Sequence, residues 1–162
     1  MKTIIITDSA CNLPENYIKE YQIEVFPFSI LLKDTSYLDG ITITTQQIYQ
    51  AMKEGQTPTT SQVNPMIMKE SFLNHAQKGN RCIYISFSGA MSGTYQTSLL
   101  MAEEVKQRYP AFDLDIIDSK GGALATGLVV LQAAEMAQAG KDKEEIVQFI
   151  KNQTAHMEHI FT

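Results

Sequence analysis

Residues 81–96, Arg-Cys-Ile-Tyr-Ile-Ser-Phe-Ser-Gly-Ala-Met-Ser-Gly-Thr-Tyr-Gln, constrain the fold more than any other stretch. They read as an apolar strand, a tight turn rich in hydroxyls and the first turn of a helix, so the rest of the chain must supply neighbours to that turn. Gly89 and Gly93 let the backbone approach a ligand closely, and Ser88, Ser92 and Thr94 each bring a hydroxyl. The N–H groups that open the helix are unpaired and carry partial positive charge, which favours a carboxylate or phosphate. The plain alternative is that Ser92 N-caps the helix while the glycines shape the turn, and the turn taken alone favours that alternative.

Strands and helices alternate on both sides of it. Residues 2–7 form a continuous β-branched run expected to be a central strand buried on both faces. A helix follows from Pro14 to about Tyr21, and residues 23–32 are an extended run that Pro27 bends or sends to an edge. Residues 33–36 make a turn. Thr44 with Gln47 predicts a capped helix running to Gly55, and Asn64-Pro65 open another that ends near Gly79. Between them, residues 56–65 are an extended loop between prolines, displaying Thr59, Thr60 and Ser61; taken alone, it reads as solvated linker.

After the turn, residues 92–108 form a helix with Leu99, Leu100, Ala102 and Val105 on its buried face, stopped by Pro110. Residues 113–117 are a strand that delivers Asp118-Ser119-Lys120. The helix expected over 121–139 is apolar nearly all round, so it is buried or lines something apolar. Gly140 caps it, Asp142 to Glu145 form a capping box, and a last helix runs through Ile150. Residues 156–162 read as the start of an extended segment. The whole pattern predicts one α/β domain of Rossmann-like, three-layer type with a mostly parallel sheet, in which ligands bind beyond the carboxyl ends of strands. Thr7-Asp8-Ser9, Ser86-Phe87-Ser88 and Asp118-Ser119-Lys120 then end on one edge, where the loop at Thr60-Ser61-Gln62 can join them.

Composition removes several classes of function. The 162 residues suffice for one domain with a real core. Lys and Arg total 13 against 18 Asp and Glu, a net charge of −5, with no basic run, which argues against nucleic acid. No apolar run reaches the length of a membrane span and Met1-Lys2 lead straight into a strand, so a cytoplasmic protein is expected. Cys11 and Cys82 have no metal-ligand spacing and Cys82 sits in an apolar strand, as a buried thiol does. His75 is expected on a helix surface, and His156 with His159 makes a poor metal site. A catalytic serine needs a placed base. Gly89-Ala90-Met91-Ser92-Gly93 is one residue too long for the nucleophile elbow, and no phosphate-loop or dinucleotide motif occurs. What remains is a neutral, hydroxyl-lined anion site beside apolar helices.

Ile6-Thr7-Asp8-Ser9, Pro58-Thr59-Thr60-Ser61-Gln62, Met91-Ser92-Gly93-Thr94-Tyr95-Gln96 and Ile117-Asp118-Ser119 resemble, in order and interval, the motifs of the DegV family. The resemblance covers essentially the whole chain. Val63 stands where that family usually has proline after Thr-Ser-Gln. The family's fold is α/β, and its members bind fatty acids; the best understood carry the acyl group for bacterial fatty acid kinase and present it to a separate kinase subunit. The resemblance implies no catalytic residue, metal or cofactor, a long-chain fatty acid as ligand, and a fatty acid kinase subunit as partner. It implies further that Thr60, Ser61 and Ser92, with Gly93 and Thr94, hold the acyl carboxylate. Asp8, Ser9, Asp118 and Ser119 form or brace the same edge. Family members continue into a second lobe that closes over the acyl chain, so residues 1–162 are expected to correspond to the N-terminal lobe, with self-association through the surface left uncovered. The alternatives are a serine-dependent or phosphate-handling enzyme using Ser92, and a truncated lobe that binds no ligand alone.

Overall fold

A computed structural model describes residues 3–157. Four parallel strands, β1 (Thr3–Asp8), β2 (Glu24–Phe26), β6 (Arg81–Ser86) and β7 (Leu114–Asp118), form a sheet in the order β2-β1-β6-β7. The helices are α1 (Glu15–Tyr21), α2 (Thr45–Lys53), α3 (Pro65–Lys78), α4 (Thr94–Arg108), α5 (Ala123–Gln138) and α6 (Lys143–His156). A two-residue side-chain period divides the central strands between two cores. Ile5, Ile83, Ile85 and Ile117 pack under α5 and α6, while Ile6, Cys82, Tyr84 and Leu114 pack with Met68 and Phe72 of α3 and with Ala102 and Val105 of α4. The result is the expected three-layer α/β arrangement.

Pro27 ends β2, and the chain then leaves the main sheet. The remaining three strands, β3 (Ser29–Leu32), β4 (Thr35–Leu38) and β5 (Thr59–Ser61), make a small antiparallel sheet in the order β4-β3-β5. The predicted single run is therefore two strands in two sheets. The β3–β4 hairpin turns on Lys33 and Asp34, at φ 47° and 61°, a pair of left-handed residues that matches the strand twist. The expected linker at Thr59-Thr60-Ser61 is an edge strand, paired through Ser29 opposite Ser61.

Local signals at helix ends hold where backbone geometry decides them. Thr44 and Gln47 form the reciprocal capping box, Asn64 caps α3 through the Met66 amide, and Gly79 closes α3 at φ +67°. Three expectations are corrected. Leu99 and Leu100 are exposed, because the packed face of α4 runs through Thr94, Ser98, Ala102 and Val105, small residues that let α3 approach. His75 is buried against β2, where its Nε2 meets Glu24 at 2.7 Å and its Nδ1 meets Asn80 at 2.9 Å. Asp142 starts α6 without a side-chain cap, and α6 runs on to His156 instead of ending at Ile150. Residues 158–162, His159 included, lie outside the described residues. The largely apolar α5 is only partly buried, with Leu124 and Leu128 exposed on one stripe.

Candidate functional site

β1 and β6 lie side by side, but the helices that follow them go to opposite faces: α1 packs on α5, α4 on α3. Such a divergence opens a crevice beyond the strand ends. Asp8, Ser9 and the turn at Phe87 to Ser92 all sit at that edge, and β7 brings Asp118 and Ser119 to it in parallel register, with Ser86 opposite Asp118.

Asp8 is fully buried. Its Oδ2 accepts from the Phe87 amide at 2.7 Å and from the Tyr84 hydroxyl at 3.1 Å, whereas Oδ1 is buried without a partner among the described residues. Burial pushes its pKa up to about 6 against those hydrogen bonds. The Ser9 hydroxyl oxygen accepts from the Phe28 amide at 3.1 Å. Asp118 Oδ1 accepts from the amides of Gly89 at 3.1 Å and Lys120 at 2.8 Å, so its carboxylate ties the β6 turn to the β7 loop. Ser119 is buried, and its hydroxyl is engaged by Gly121 and Thr126. Phe87 is clamped from the other side, since a Cβ on Gly122 would lie 2.3 Å from its ring.

The two hydroxyl motifs lie together. The Val63 amide donates to Thr94 Oγ1 at 3.4 Å, and Thr97 donates to Gln62 Oε1 at 3.3 Å. Gly93 makes the approach feasible, because a Cβ there would stand 2.5 Å from Gln62 Oε1. Gly93 is also the N-cap of α4; Ser92 instead accepts from the Thr94 amide at 3.2 Å and shares a 2.9 Å hydrogen bond with the Thr94 hydroxyl. Thr60 and Ser61 are exposed on the neighbouring strand. Val63 is fully buried and anchors the loop by packing.

Sequence reasoning missed a cavity of about 660 Å³ between α1 and α2, reaching Ser9 and Pro27. Its walls come from segments distant in sequence that share no motif, so no local signal marks it. Both cysteines are buried; burial pushes the Cys82 thiol up to about 12 and raises that of Cys11. Among the described residues no group of three His, Cys, Asp or Glu side chains could hold a metal ion, and no helix is long and apolar enough to cross a membrane.

Residues 2–162 match the family described as "Uncharacterised protein, DegV family". A DegV domain-containing protein of Clostridium perfringens is 36% identical over 99% of this chain and 56% of its own length. Another, from Caldanaerobacter subterraneus, is 37% identical over 90% of this chain and 51% of its own. The chain thus spans about half the length of the curated relatives it matches. Among solved structures, a stearic acid-binding protein from Eubacterium ventriosum superposes with a TM-score of 0.85 at 25% identity, over 91% of this chain and 51% of that one. A fatty acid-binding DegV protein from Thermus thermophilus gives 0.82 at 26%, over 96% and 54%.

Proposed function

Because the chain belongs to the DegV family, we propose that it is a non-catalytic fatty-acid carrier whose hydroxyl motifs hold the acyl carboxylate for presentation to a separate fatty acid kinase subunit. The observation that carries this reading is the contact between the two motifs, with Gln62 and Val63 hydrogen-bonded onto the first turns of α4 beside Ser92. Thr60, Ser61 and Ser92 supply hydroxyl donors, and the Gly93 and Thr94 backbone opens a helix whose dipole favours an anion. Asp8 and Asp118 carry the ligand's own sign of charge, so they brace the turn through the amides of Phe87 and Gly89 and do not touch the carboxylate. Ser119, engaged inside its loop, braces in the same way, and Ser9 lines the edge.

The energetics suit an amphiphilic acid. Burying roughly a dozen methylenes at about 0.8 kcal/mol each supplies affinity. Two or three charge-assisted hydrogen bonds at about 1.5–3 kcal/mol each offset the desolvation of the head group. The fatty-acid ligands of the Eubacterium and Thermus proteins support the same class of ligand. Against a serine enzyme stand the positions of two histidines, since His75 is engaged by Glu24 and Asn80, and His156 by the Asn152 carbonyl. The exposed Leu124–Leu128 stripe favours a further surface for association, with a second copy or with the rest of a longer protein.

Displacement of a fluorescent fatty acid tests the reading. Thr60→Ala with Ser92→Ala is expected to weaken binding at least tenfold, the loss of about 1.4 kcal/mol or more. Undiminished binding would overturn the head-group assignment, and covalent labelling of Ser92 by a fluorophosphonate would revive the enzyme alternative.

A further inference from the structure

We infer that a second cleft, between the β3–β4 hairpin and the end of α2, binds a small zwitterion that carries a primary ammonium and an anionic group, as a free amino acid does. The inference is independent of the fatty-acid reading, since none of the hydroxyl motifs lines this cleft. Its volume is about 480 Å³, within the usual range of small-molecule sites. Ile30 pairs with Tyr37 and Leu32 with Thr35, so these four residues share one face of the hairpin. Gln50, Ala51, Glu54 and Gln56 line the other side of the cleft.

Gln56 is the residue out of place. The end of α2 is a Schellman motif: the Gly55 amide donates to the Met52 carbonyl at 3.0 Å and the Gln56 amide to the Ala51 carbonyl at 3.0 Å, with Gly55 at φ +81°. An apolar side chain at the position of Gln56 ordinarily packs back on the last turn of the helix. Here that position holds an amide. Its Nε2 donates to Glu54 Oε2 at 3.4 Å, while its Oε1 is buried without a partner among the described residues. A buried acceptor left unmatched destabilises a fold, and a ligand with a donor would relieve it.

The charges say which donor. Lys33 at the hairpin tip and Glu54 at the end of α2 both line the cleft. Among the described residues Lys33 has no ion-pair or hydrogen-bond partner, and the Glu54 carboxylate meets no cation, accepting instead from Gln50 at 2.8 Å and from Gln56. Opposite charges that share a cleft without meeting suit a molecule that bears both. Glu54 and Gln56 Oε1 are neighbouring acceptors for an ammonium, which has three N–H donors. Lys33 is left for the anion, Thr35 and Tyr37 add hydroxyls, and Leu32 with Ala51 supplies a small apolar floor.

Saturation-transfer NMR titrations of the 162-residue protein test the site with L-serine, O-phosphoethanolamine and glycine betaine as probes. Serine and phosphoethanolamine carry the same ammonium with a carboxylate or a phosphate, whereas betaine is a zwitterion with no N–H for Gln56. At least one of the first two is expected to bind at least tenfold more tightly than betaine. Preference for serine identifies a free amino acid, preference for phosphoethanolamine a lipid head group, and equal binding a site that reads the ammonium alone. Gln56→Leu restores the usual apolar residue and removes the acceptor, so it should weaken the bound probe at least tenfold while the melting temperature stays equal or rises. Lys33→Met, on the opposite wall, should weaken the same probe at least tenfold, and it decides the matter should Gln56→Leu fail to fold. Failure of serine and phosphoethanolamine to bind, betaine binding as tightly as they do, or unchanged affinity in either folded variant would overturn the inference.

Discussion

The parallel sheet has a buried charged side chain at each end, and the two are treated in opposite ways. At the amino end Lys143 is almost fully buried, yet its ammonium pairs with Asp113 and, at 2.8 Å, with Asp115; Arg81 joins Asp113 to Glu144 beside them. Burial pushes the Asp113 carboxyl up, but the hydrogen bonds from Lys143 and Arg81 outweigh it and hold the group below its ordinary range. At the carboxyl end Asp8 is buried with one oxygen doubly engaged and the other without a partner among the described residues. The amino end exhausts its polar groups internally. The carboxyl end does not, and it is the end that carries the hydroxyl turn.

The contrast can be broken at either end. The largest effect is expected from Asp113→Ala with Asp115→Ala, which strands the Lys143 charge and should cost about 3 kcal/mol in urea unfolding. Lys143→Met removes the charge together with the need for it and should stay within about 1 kcal/mol of wild type. Equal losses in the two variants would mean that packing, and not pairing, secures the amino end.

Asp8→Asn probes the other end and sharpens the comparison. The folded pKa of about 6 lies above the ordinary 3.8, so the folded protein takes up this proton first. The contribution of Asp8 to stability is therefore greatest in acid, falls as pH rises from about 4 to about 6, and stays low above that. Asn keeps an acceptor for the Phe87 amide but carries no charge. The variant should gain up to about 2 kcal/mol over wild type near neutral pH, a gain that shrinks toward about pH 4. Urea midpoints measured across that range check it; a gain independent of pH would show that the strain is not electrostatic.

The smallest effect on the fold is expected from Gly93→Ala. The backbone there is ordinary, at φ −67°, and the added Cβ meets only the end of the Gln62 side chain. Stability should fall by less than about 1 kcal/mol, while Gln62 swings away from Thr97 and fatty-acid affinity drops. A loss of stability without a loss of affinity would separate this contact from the site.

Much of this architecture is legible because its signals are local. A continuous β-branched run marks β1 and an apolar run marks β6, and Thr44 with Gln47, Asn64-Pro65 and Gly79 mark helix ends by their own hydrogen bonds and dihedrals. What escapes is set by tertiary packing. Leu99 and Leu100 look like a core stripe, but α3 approaches the small-residue face instead. The turn at residues 33–36 is legible, but the pairing of its flanking strands in a second, antiparallel sheet is not, because Lys33-Asp34 lack the glycine that advertises a hairpin. The convergence of the hydroxyl motifs on one edge can be read from the chain, but the contact between Gln62 and Gly93 cannot, because it depends on how β5 pairs with β3. The α1–α2 cavity depends on the same excursion from the main sheet.

Mass spectrometry of an organic extract of the gently purified protein, beside Thr60→Ala with Ser92→Ala, tests the central claim most directly. A near-stoichiometric long-chain fatty acid in the wild type, lost from the double variant, is the predicted result. A fatty acid retained equally by both would contradict the claim that the two hydroxyl motifs hold its head group.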